Sequence, residues 1–261
     1  MPTHPDGRPR LATLTTGDGP RIVLVHGFTQ TAQCWGRFAD LLAAAHHALV
    51  AVDAPGHGRS EDVRATFEEG AQLLGEAGGR AIYIGYSMGG RYALRLALDR
   101  PELVRALVLI GASPGIDDDT EREARRAADE RRAEQLERDG VEAFVDDWLR
   151  QPLFATLPPD AAHRDERLRN TAAGLASSLR LAGTGAMEPL WSRLATIRMP
   201  VLLVTGEHDT KFVDIARRMV EAMDPHAWSA VVSGAGHSVH LEQPGVTAEL
   251  VTSWLRTKLQ P

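Results

Sequence analysis

The 261-residue sequence has almost no cysteine and no long apolar segment. Its one cysteine, Cys34, cannot form an internal disulfide, which excludes a zinc site of several cysteines and favours a reducing compartment. No run approaches the roughly 18 apolar residues of a membrane-spanning helix. The first ten residues also lack the apolar segment of a signal peptide. These absences predict a cytoplasmic protein with no membrane span.

An excess of positive charge is missing as well. The net charge is −6 and the isoelectric point is about 5.9, which argues against nucleic acid and anionic membranes as partners. The sequence contains no Walker loop, no dinucleotide-binding G-x-G-x-x-G after a strand and no cluster of metal ligands, so it predicts neither a cofactor nor a metal. Hydrophobic residues make up 43% of the chain, which is ordinary for a globular protein.

Six short apolar runs recur along the chain, and each ends in a glycine-rich or polar turn. Their apolar character on both faces is typical of buried parallel strands. Most of the segments between them have helical patterns. The alternation predicts an α/β fold, with a doubly wound, mostly parallel sheet and right-handed crossovers. The apolar runs span 21–27, 47–56, 80–87, 105–113, 200–209 and 228–237, and the helical patterns span 38–45, 67–77, 88–98, 214–223 and 246–259.

The alternation stops between the fourth and fifth apolar runs. Residues 117–190 have the pattern of several helices, and they contain 17 acidic residues and 11 arginines. That segment therefore carries the whole net charge of the chain. We predict that it forms a solvated helical cap over the carboxyl edge of the sheet. Residues 1–116 and 191–261 would then form the core domain.

The motif G-x-S-x-G occurs twice, at 85–89 and at 111–115. It can mark a nucleophile elbow, in which a serine sits between a strand and a helix and the next residue offers its N–H to an oxyanion. Ser87 follows a strand pattern and begins a helix rich in small residues. Ser113 precedes Pro114, which has no N–H to donate. We predict that Ser87 is the activated serine and that Ser113 belongs to a strand-end turn.

A serine hydroxyl needs a base, and in folds with this elbow the chain order is serine, acid, histidine. Asp209 and His237 each follow an apolar run, at the strand ends where such sheets place their chemistry. They are the predicted acid and base. Asp214 and His240 are weaker alternatives, because Asp214 lies within a helical pattern and a glycine turn places His237 first in its loop.

The second oxyanion donor is expected from the turn His26-Gly27-Phe28, which ends the first apolar run. Phe28 and Met88 are therefore the predicted backbone donors. The glycine-rich segment 53–60, DAPGHGRS, is predicted to be structural.

Together these motifs resemble the α/β-hydrolase superfamily over nearly the whole chain: HGF (26–28), DAPGHGRS (53–60), GYSMGG (85–90), GEHD (206–209) and GHSVHLEQP (236–244). Within it, GYSMGGRYAL, GASPGI, QPLFATL, LWSRL and GEHDTKF resemble the 2-succinyl-6-hydroxy-2,4-cyclohexadiene-1-carboxylate synthases of the menaquinone pathway. The resemblance implies a lyase. Its triad would remove a proton α to a ketone, and pyruvate would leave from an enolpyruvyl substituent, without a cofactor.

The substrate implied by this resemblance is small, anionic and carries several carboxylates, for which the guanidinium fork is a suitable partner. A strongly acidic cap fits such a substrate only if its acids lie on the outer face. The sequence makes no prediction of oligomeric state. By motif position it implies substrate contacts from Arg91, Arg125, Arg169, Tyr86, Trp148 and Lys211.

Two other functions fit the same motifs. The first is a carboxylester or C–C bond hydrolase that uses the triad through an acyl-enzyme. The second is a non-catalytic ligand receptor, which the complete triad argues against. The substrate decides between them, because one fold supports many chemistries.

Overall fold

The computed structural model describes residues 9–259. The prediction that the first ten residues contain no apolar segment of a signal peptide falls mostly on residues 1–8, which lie outside the described residues. The fold is built on one seven-stranded sheet. Its strands are β1 (Thr13–Thr16), β2 (Arg21–Val25), β3 (Ala48–Val52), β4 (Ala81–Tyr86), β5 (Val104–Ile110), β6 (Val201–Gly206) and β7 (Ala227–Val232).

The spatial order of the strands is β1-β3-β2-β4-β5-β6-β7. All pairs are parallel except β1 with β3, in which Thr13 lies opposite Val52. The six predicted strands are present, and the predicted fold class is confirmed. Strand β1 was not predicted, because this four-residue edge strand is mostly exposed and has no apolar run.

Helices cover both faces of the sheet, because successive strand residues point to opposite sides. The helices are α1 (Gly36–Ala44), α2 (Phe67–Gly78), α3 (Met88–Asp99), α4 (Asp119–Leu149), α5 (Arg164–Arg167), α6 (Ala172–Ala182), α7 (Thr210–Met223), α8 (Val239–Glu242) and α9 (Pro244–Lys258). Ile22 packs with α1 and α9 on one face, whereas Val23 packs with α2, α3 and α7 on the other. The predicted start of α7 at residue 214 was wrong, since the helix begins directly after Asp209.

Residues 117–190, called the insertion below, contain α4, α5 and α6 and lie between β5 and β6 in the chain. Helix α4 is kinked at Gly140, whose backbone has φ 81°. Apolar side chains of α4, including Leu136 and Phe144, pack against Leu175 of α6 and against Phe28 of the core. This packing places the insertion above the carboxyl ends of the strands. Its division from the core as a separate domain stays a prediction.

Within residues 9–259, none of the helices combines the length and the apolar content that crossing a membrane would need.

Candidate active site

Ser87 lies at a sharp turn between β4 and α3. Its backbone has φ 50° and ψ −108°, a left-handed conformation that is unusual for a residue with a side chain and is often found at functional sites. The turn requires glycine close by: a Cβ atom on Gly89 would lie 1.9 Å from the Val25 carbonyl oxygen. This close approach of helix and strand gives the geometry of a nucleophile elbow.

Ser87, His237 and Asp209 form a continuous hydrogen-bonded chain. The Ser87 hydroxyl donates to Nε2 of His237 at 3.1 Å, and Nδ1–H of the same imidazole donates to Oδ2 of Asp209 at 2.6 Å. His237 and Asp209 are buried, so little water competes for these bonds. The arrangement can move a proton between the serine oxygen and the imidazole while the carboxylate stabilises the imidazolium. The structure thus brings the three predicted residues together.

Tyr86 was predicted to contact substrate, but the structure places it beneath the triad, outside the cavity lining. It is buried, its hydroxyl lies 2.8 Å from the Ser238 hydroxyl, and its ring packs against His237 and His240. Tyr86 and Ser87 are neighbours at the end of β4, and neighbouring strand residues point in different directions. Ser87 therefore faces the cavity, whereas Tyr86 does not. Burial raises the pKa of Tyr86 well above its ordinary value. Tyr86 is therefore positioned to hold the His237 imidazole in place by packing against it.

The two predicted oxyanion donors lie on either side of Ser87. Met88 is the first residue of α3, where backbone N–H groups have no partner within the helix. Phe28 follows the end of β2, and both residues line the same cavity as Ser87 and His237. Backbone donors on two different elements can therefore face one oxygen atom. Their role as an oxyanion hole stays a prediction.

The cavity beside the triad has a volume of about 210 Å³. Among residues 9–259, three arginines, one lysine and His237 contribute ionisable side chains to its wall, and no carboxylate does. Trp148 and Phe28 provide an apolar side, with their rings 5.2 Å apart in an edge-to-face contact. The cationic residues are Arg91, Arg125, Arg132 and Lys211. This composition suits a ligand with several negative charges and an apolar body.

Arg91 lies one turn beyond Ser87 on α3 and is buried. It donates from Nη1 to the Ala182 carbonyl at 2.9 Å, so the α6 end of the insertion fixes its direction. Within the described residues, no carboxylate lies within ion-pair distance of it. Burial, helped by the nearby charge of Arg125, lowers the pKa of Arg91 to about 10. Arg91 is therefore still cationic at neutral pH, without a partner of opposite charge.

Arg125 and Arg132 share one buried carboxylate. Oδ1 of Asp129 accepts from Nε of Arg125 at 2.8 Å and from Nη1 of Arg132 at 3.0 Å. The three residues stand at positions i, i+4 and i+7 of α4, which places them on one face of the helix. Asp129 is almost fully buried, whereas both arginines reach the cavity. The carboxylate can hold the two guanidinium groups toward a ligand. Arg132 and Asp129 were not among the predicted residues, although their spacing from Arg125 could have indicated them.

The other acidic residues of α4 that the structure pairs with arginine lie away from the cavity. Arg180 pairs with Glu130 and Glu137, and Arg164 pairs with Glu142 and Asp146. These pairs agree with the condition under which an acidic insertion can accept an anionic substrate, namely that its acids lie on the outer face. The net charge of the insertion is therefore a poor guide to the charge of the cavity.

Arg169 does not lie in this cavity. It is exposed, pairs with Glu166 at 3.1 Å and lines a separate surface cleft near Asp53. The arginine of the same segment that reaches the centre of the molecule is Arg167, two residues earlier. With 27 arginines in the chain, motif position alone could not distinguish the two. We therefore leave Arg169 out of the substrate contacts.

The alternative candidates for the serine, the base and the acid occupy three different environments. Ser113 is part of a turn after β5, where its hydroxyl accepts from Gly115 N–H at 3.4 Å, but it also lines the cavity, which was not predicted. His240 is buried against aromatic rings, including those of Trp35 and Tyr86. Asp214 is exposed and pairs with Arg217. Neither His240 nor Asp214 is hydrogen-bonded to the triad.

The segment 53–60 is structural, as predicted. Asp53 is buried, and its two carboxylate oxygens accept from the backbone N–H groups of Ala32 at 2.7 Å and Arg59 at 3.1 Å. These bonds connect the end of β3 to the loop after β2. The segment thus supports the side of the cavity that contains Phe28.

A family model for the alpha/beta hydrolase family matches residues 22–250. The chain belongs to the α/β hydrolase family.

Relatives within that family include a protein of Bacillus subtilis (strain 168) with the provisional name 2-succinyl-6-hydroxy-2,4-cyclohexadiene-1-carboxylate synthase. It is 38% identical over 248 residues, covering 90% of this chain and 89% of the relative. A synthase of that name from Klebsiella pneumoniae is 33% identical over 86% of this chain and 89% of its own length. Among solved structures, MenH from S. aureus superposes with a TM-score of 0.87 at 30% identity, covering 95% of this chain and 99% of that one. The resemblance stated from the motifs is confirmed.

Proposed function

We propose that this α/β hydrolase-family enzyme is a lyase that eliminates pyruvate from an enolpyruvyl succinyl-cyclohexene carboxylate. The product would be 2-succinyl-6-hydroxy-2,4-cyclohexadiene-1-carboxylate, an intermediate of menaquinone biosynthesis. The relatives of that name, 33% and 38% identical over most of the chain, support this choice of reaction. The observation that carries the proposal is a complete triad facing a cavity whose wall, within the part of the chain that the structure describes, holds four cations and no carboxylate.

The triad supplies the base. Ser87 accepts the proton α to the ketone as its own proton passes to Nε2 of His237, and Asp209 stabilises the imidazolium. A free alkoxide at neutral pH would be costly, so the two transfers must be closely coupled. The 3.1 Å separation between the serine oxygen and the imidazole nitrogen is suited to this step. No covalent bond to the serine is required.

The enolate formed by proton removal carries its charge on the former ketone oxygen. The Phe28 and Met88 N–H groups are the proposed donors to that oxygen, where they act more strongly on the transition state than on the substrate. The electron pair then expels the enolpyruvyl oxygen, which breaks the C–O bond. The leaving group takes up a proton and becomes pyruvate. An oxyanion in a hydrolase would occupy the same position, which explains how one site could serve either chemistry.

The cations recognise the substrate. Arg125 and Arg132 extend from α4, Arg91 extends from α3, and Lys211 lies in the first turn of α7, near Asp209. Carboxylates at different ends of the substrate can therefore meet positive charge from more than one element. Trp148 and Phe28 can contact the ring between them. We infer that Arg91, Arg125, Arg132, Trp148 and Lys211 are the substrate contacts.

Incubation of the purified protein with the enolpyruvyl cyclohexene substrate tests this proposal. Pyruvate is followed with a coupled dehydrogenase, and a neutral nitrophenyl ester is assayed in parallel. We expect pyruvate release that greatly exceeds ester hydrolysis. Rapid ester hydrolysis with no pyruvate would instead identify a carboxylester hydrolase, and binding without turnover of either compound would identify a receptor. The predicted cytoplasmic location rests on the sequence and stays a prediction.

A further inference from the structure

The loop after β2 holds the peptide that contains the Phe28 N–H. The Gly27 carbonyl accepts from Gln30 N–H at 3.1 Å and lies 2.8 Å from Nδ1 of His26. A trans peptide points its N–H and C=O in opposite directions. The Phe28 N–H therefore points away from these two partners. The far side of Phe28 must also be fixed if that direction is to persist.

Thr29, the next residue, has φ 67°, which is uncommon for a β-branched residue. Each of its polar groups is held by another part of the molecule. Its N–H donates to Nε2 of His57 at 3.4 Å, and its carbonyl accepts from Nδ2 of Asn170 at 2.7 Å. Its hydroxyl accepts from Nη1 of Arg167. Such a conformation persists only when its surroundings determine it strongly.

Arg167 reaches this loop from α5 in the insertion. It is only 1% exposed, and among residues 9–259 it forms no ion pair with a carboxylate. Nη1 donates to both the Thr29 hydroxyl and the Phe28 carbonyl, the latter at 3.4 Å, while Nε donates to the Ala162 carbonyl at 2.8 Å. Burial of a guanidinium without a carboxylate partner costs free energy, which its hydrogen bonds must offset. Most of those bonds are made to the loop.

Asn170 completes the attachment. Besides binding the Thr29 carbonyl, its side-chain oxygen accepts from Gly58 N–H at 2.8 Å, and its amide donates to the Arg167 carbonyl at 2.9 Å. One short segment of the insertion thus binds two loops at the carboxyl edge of the sheet. The cavity cations belong to α4 of the insertion and to α3 and α7, so this contact is separate from the cationic wall.

We propose that Arg167 is a positioning residue for catalysis: it fixes the Phe28–Thr29 peptide, and thereby the direction of the Phe28 N–H toward the reacting oxygen. The insertion would then do more than bind substrate, because its docking through α5 assembles half of the oxyanion hole. The inference rests on the proposed function for its reaction, but an oxyanion hole would be needed for ester hydrolysis as well.

The test compares Arg167→Met with Arg169→Met, a matched control two residues away that changes an exposed arginine outside the cavity. Thr29→Val is a second variant, which keeps the side-chain shape and removes only the hydroxyl acceptor. For each protein, kcat and KM for pyruvate release are measured and normalised to the folded fraction from circular dichroism. Arg167→Lys shows whether a cation alone can replace the guanidinium fork.

A second readout does not depend on the lyase reaction. Phenylboronic acid binds when the Ser87 oxygen adds to boron and the serine proton passes to His237, which leaves a tetrahedral boronate with its negative charge at the oxyanion position. Its Kd is measured by calorimetry with the same variants. If the parent protein binds the boronate but releases no pyruvate, the proposed function fails, and the effect of Arg167→Met on boronate binding still tests this inference.

We expect Arg167→Met to lower kcat by about 10- to 100-fold with KM changed by less than about threefold, because an oxyanion donor acts mainly in the transition state. Boronate binding should weaken in parallel, Thr29→Val should show a smaller change of the same kind, and Arg167→Lys should recover part of the loss. Arg169→Met should match the parent. Unchanged kcat and boronate affinity in folded Arg167→Met, or a loss expressed only in KM, would overturn the inference.

Discussion

The two sides of the cavity are constructed in different ways. On the sheet side, Ser87, Asp209 and His237 follow strand ends, and hydrogen bonds of 3.1 Å and 2.6 Å hold them to one another. On the insertion side, long arginine side chains extend from α4 and are held by the single carboxylate of Asp129. Arg125 and Arg132 remain 36% and 32% exposed, whereas the side chains of His237 and Asp209 are only 2% and 6% exposed.

This difference indicates a division of labour. Buried groups at the ends of strands keep the geometry that proton transfer requires, while partly exposed cations on a helix can adapt to the carboxylates of a ligand. Substitutions of the triad residues should therefore reduce kcat, and substitutions of the cavity-lining arginines of α4 should mainly raise KM. Arg91 belongs to the sheet side by its helix but is directed by the insertion, so its loss should affect both constants.

The largest effect is expected from the triad. Ser87→Ala, His237→Ala and Asp209→Asn should each lower kcat for pyruvate release by about 10²-fold or more, because each breaks the chain that moves the proton. Circular dichroism should show little change in folding. Ser113→Ala is the matched control, since this serine lines the same cavity but has no base bonded to it. Near-normal turnover by Ser87→Ala would refute the proposed base.

Arg91→Ala should lower kcat/KM for the anionic substrate by an amount that corresponds to roughly 2–4 kcal/mol of lost transition-state stabilisation, because a carboxylate in an enclosed site loses its charged partner. Arg91→Lys should recover only part, since an ammonium cannot donate through a planar fork. Steady-state kinetics with substrate, and with a neutral ester as a comparison, provide the measurement. If Arg91→Ala retains kcat/KM for the substrate, Arg91 has only a structural part in the packing of α3 against α6.

Asp129→Asn tests the insertion side without removing a cation. We expect KM to rise by roughly three- to tenfold while kcat stays close to that of the parent, because Arg125 and Arg132 lose the charge that orients them. Glu130→Gln is the control on the same helix, where the lost carboxylate pairs with Arg180 on the exposed face. An equal change in KM for the two variants would show that total charge, not orientation, matters.

The smallest effect is expected for Arg169→Ala. Its exposed ion pair with Glu166 should contribute about 0–1 kcal/mol to stability, and its distance from the cavity should leave both kinetic constants nearly unchanged. Thermal unfolding and steady-state kinetics give the measurement. A clear rise in KM would return Arg169 to the substrate contacts and would contradict the cavity described here.

The sheet side could be predicted largely from the sequence because its signals are local. An apolar run followed by G-x-S-x-G, by Asp209 or by His237 indicates a strand end, and parallel strands bring all such ends to one edge of the sheet. Strand β1 escaped prediction because only its pairing with β3 holds it in place. Long-range pairing of that kind leaves no periodic pattern in four mostly exposed residues.

The insertion side could be predicted only in part, because its helices reach the site through packing between distant segments. Arg125 was indicated by a motif, but Arg132 and Asp129 gain their position from the way α4 lies on α6. The role of Arg167 depends on Thr29, 138 residues away in the chain. Motif position was also insufficient for Tyr86 and Arg169. It indicated segments close to the site, but neither side chain lines the cavity.

The central claim is that Ser87 acts as a base and does not form a covalent intermediate. Intact-protein mass spectrometry on samples quenched during steady-state pyruvate release tests it most directly. We expect the unmodified mass of the protein throughout turnover, while pyruvate accumulates. A substrate-sized adduct that maps to Ser87 and disappears as pyruvate forms would contradict the account and would identify the triad as a nucleophilic one.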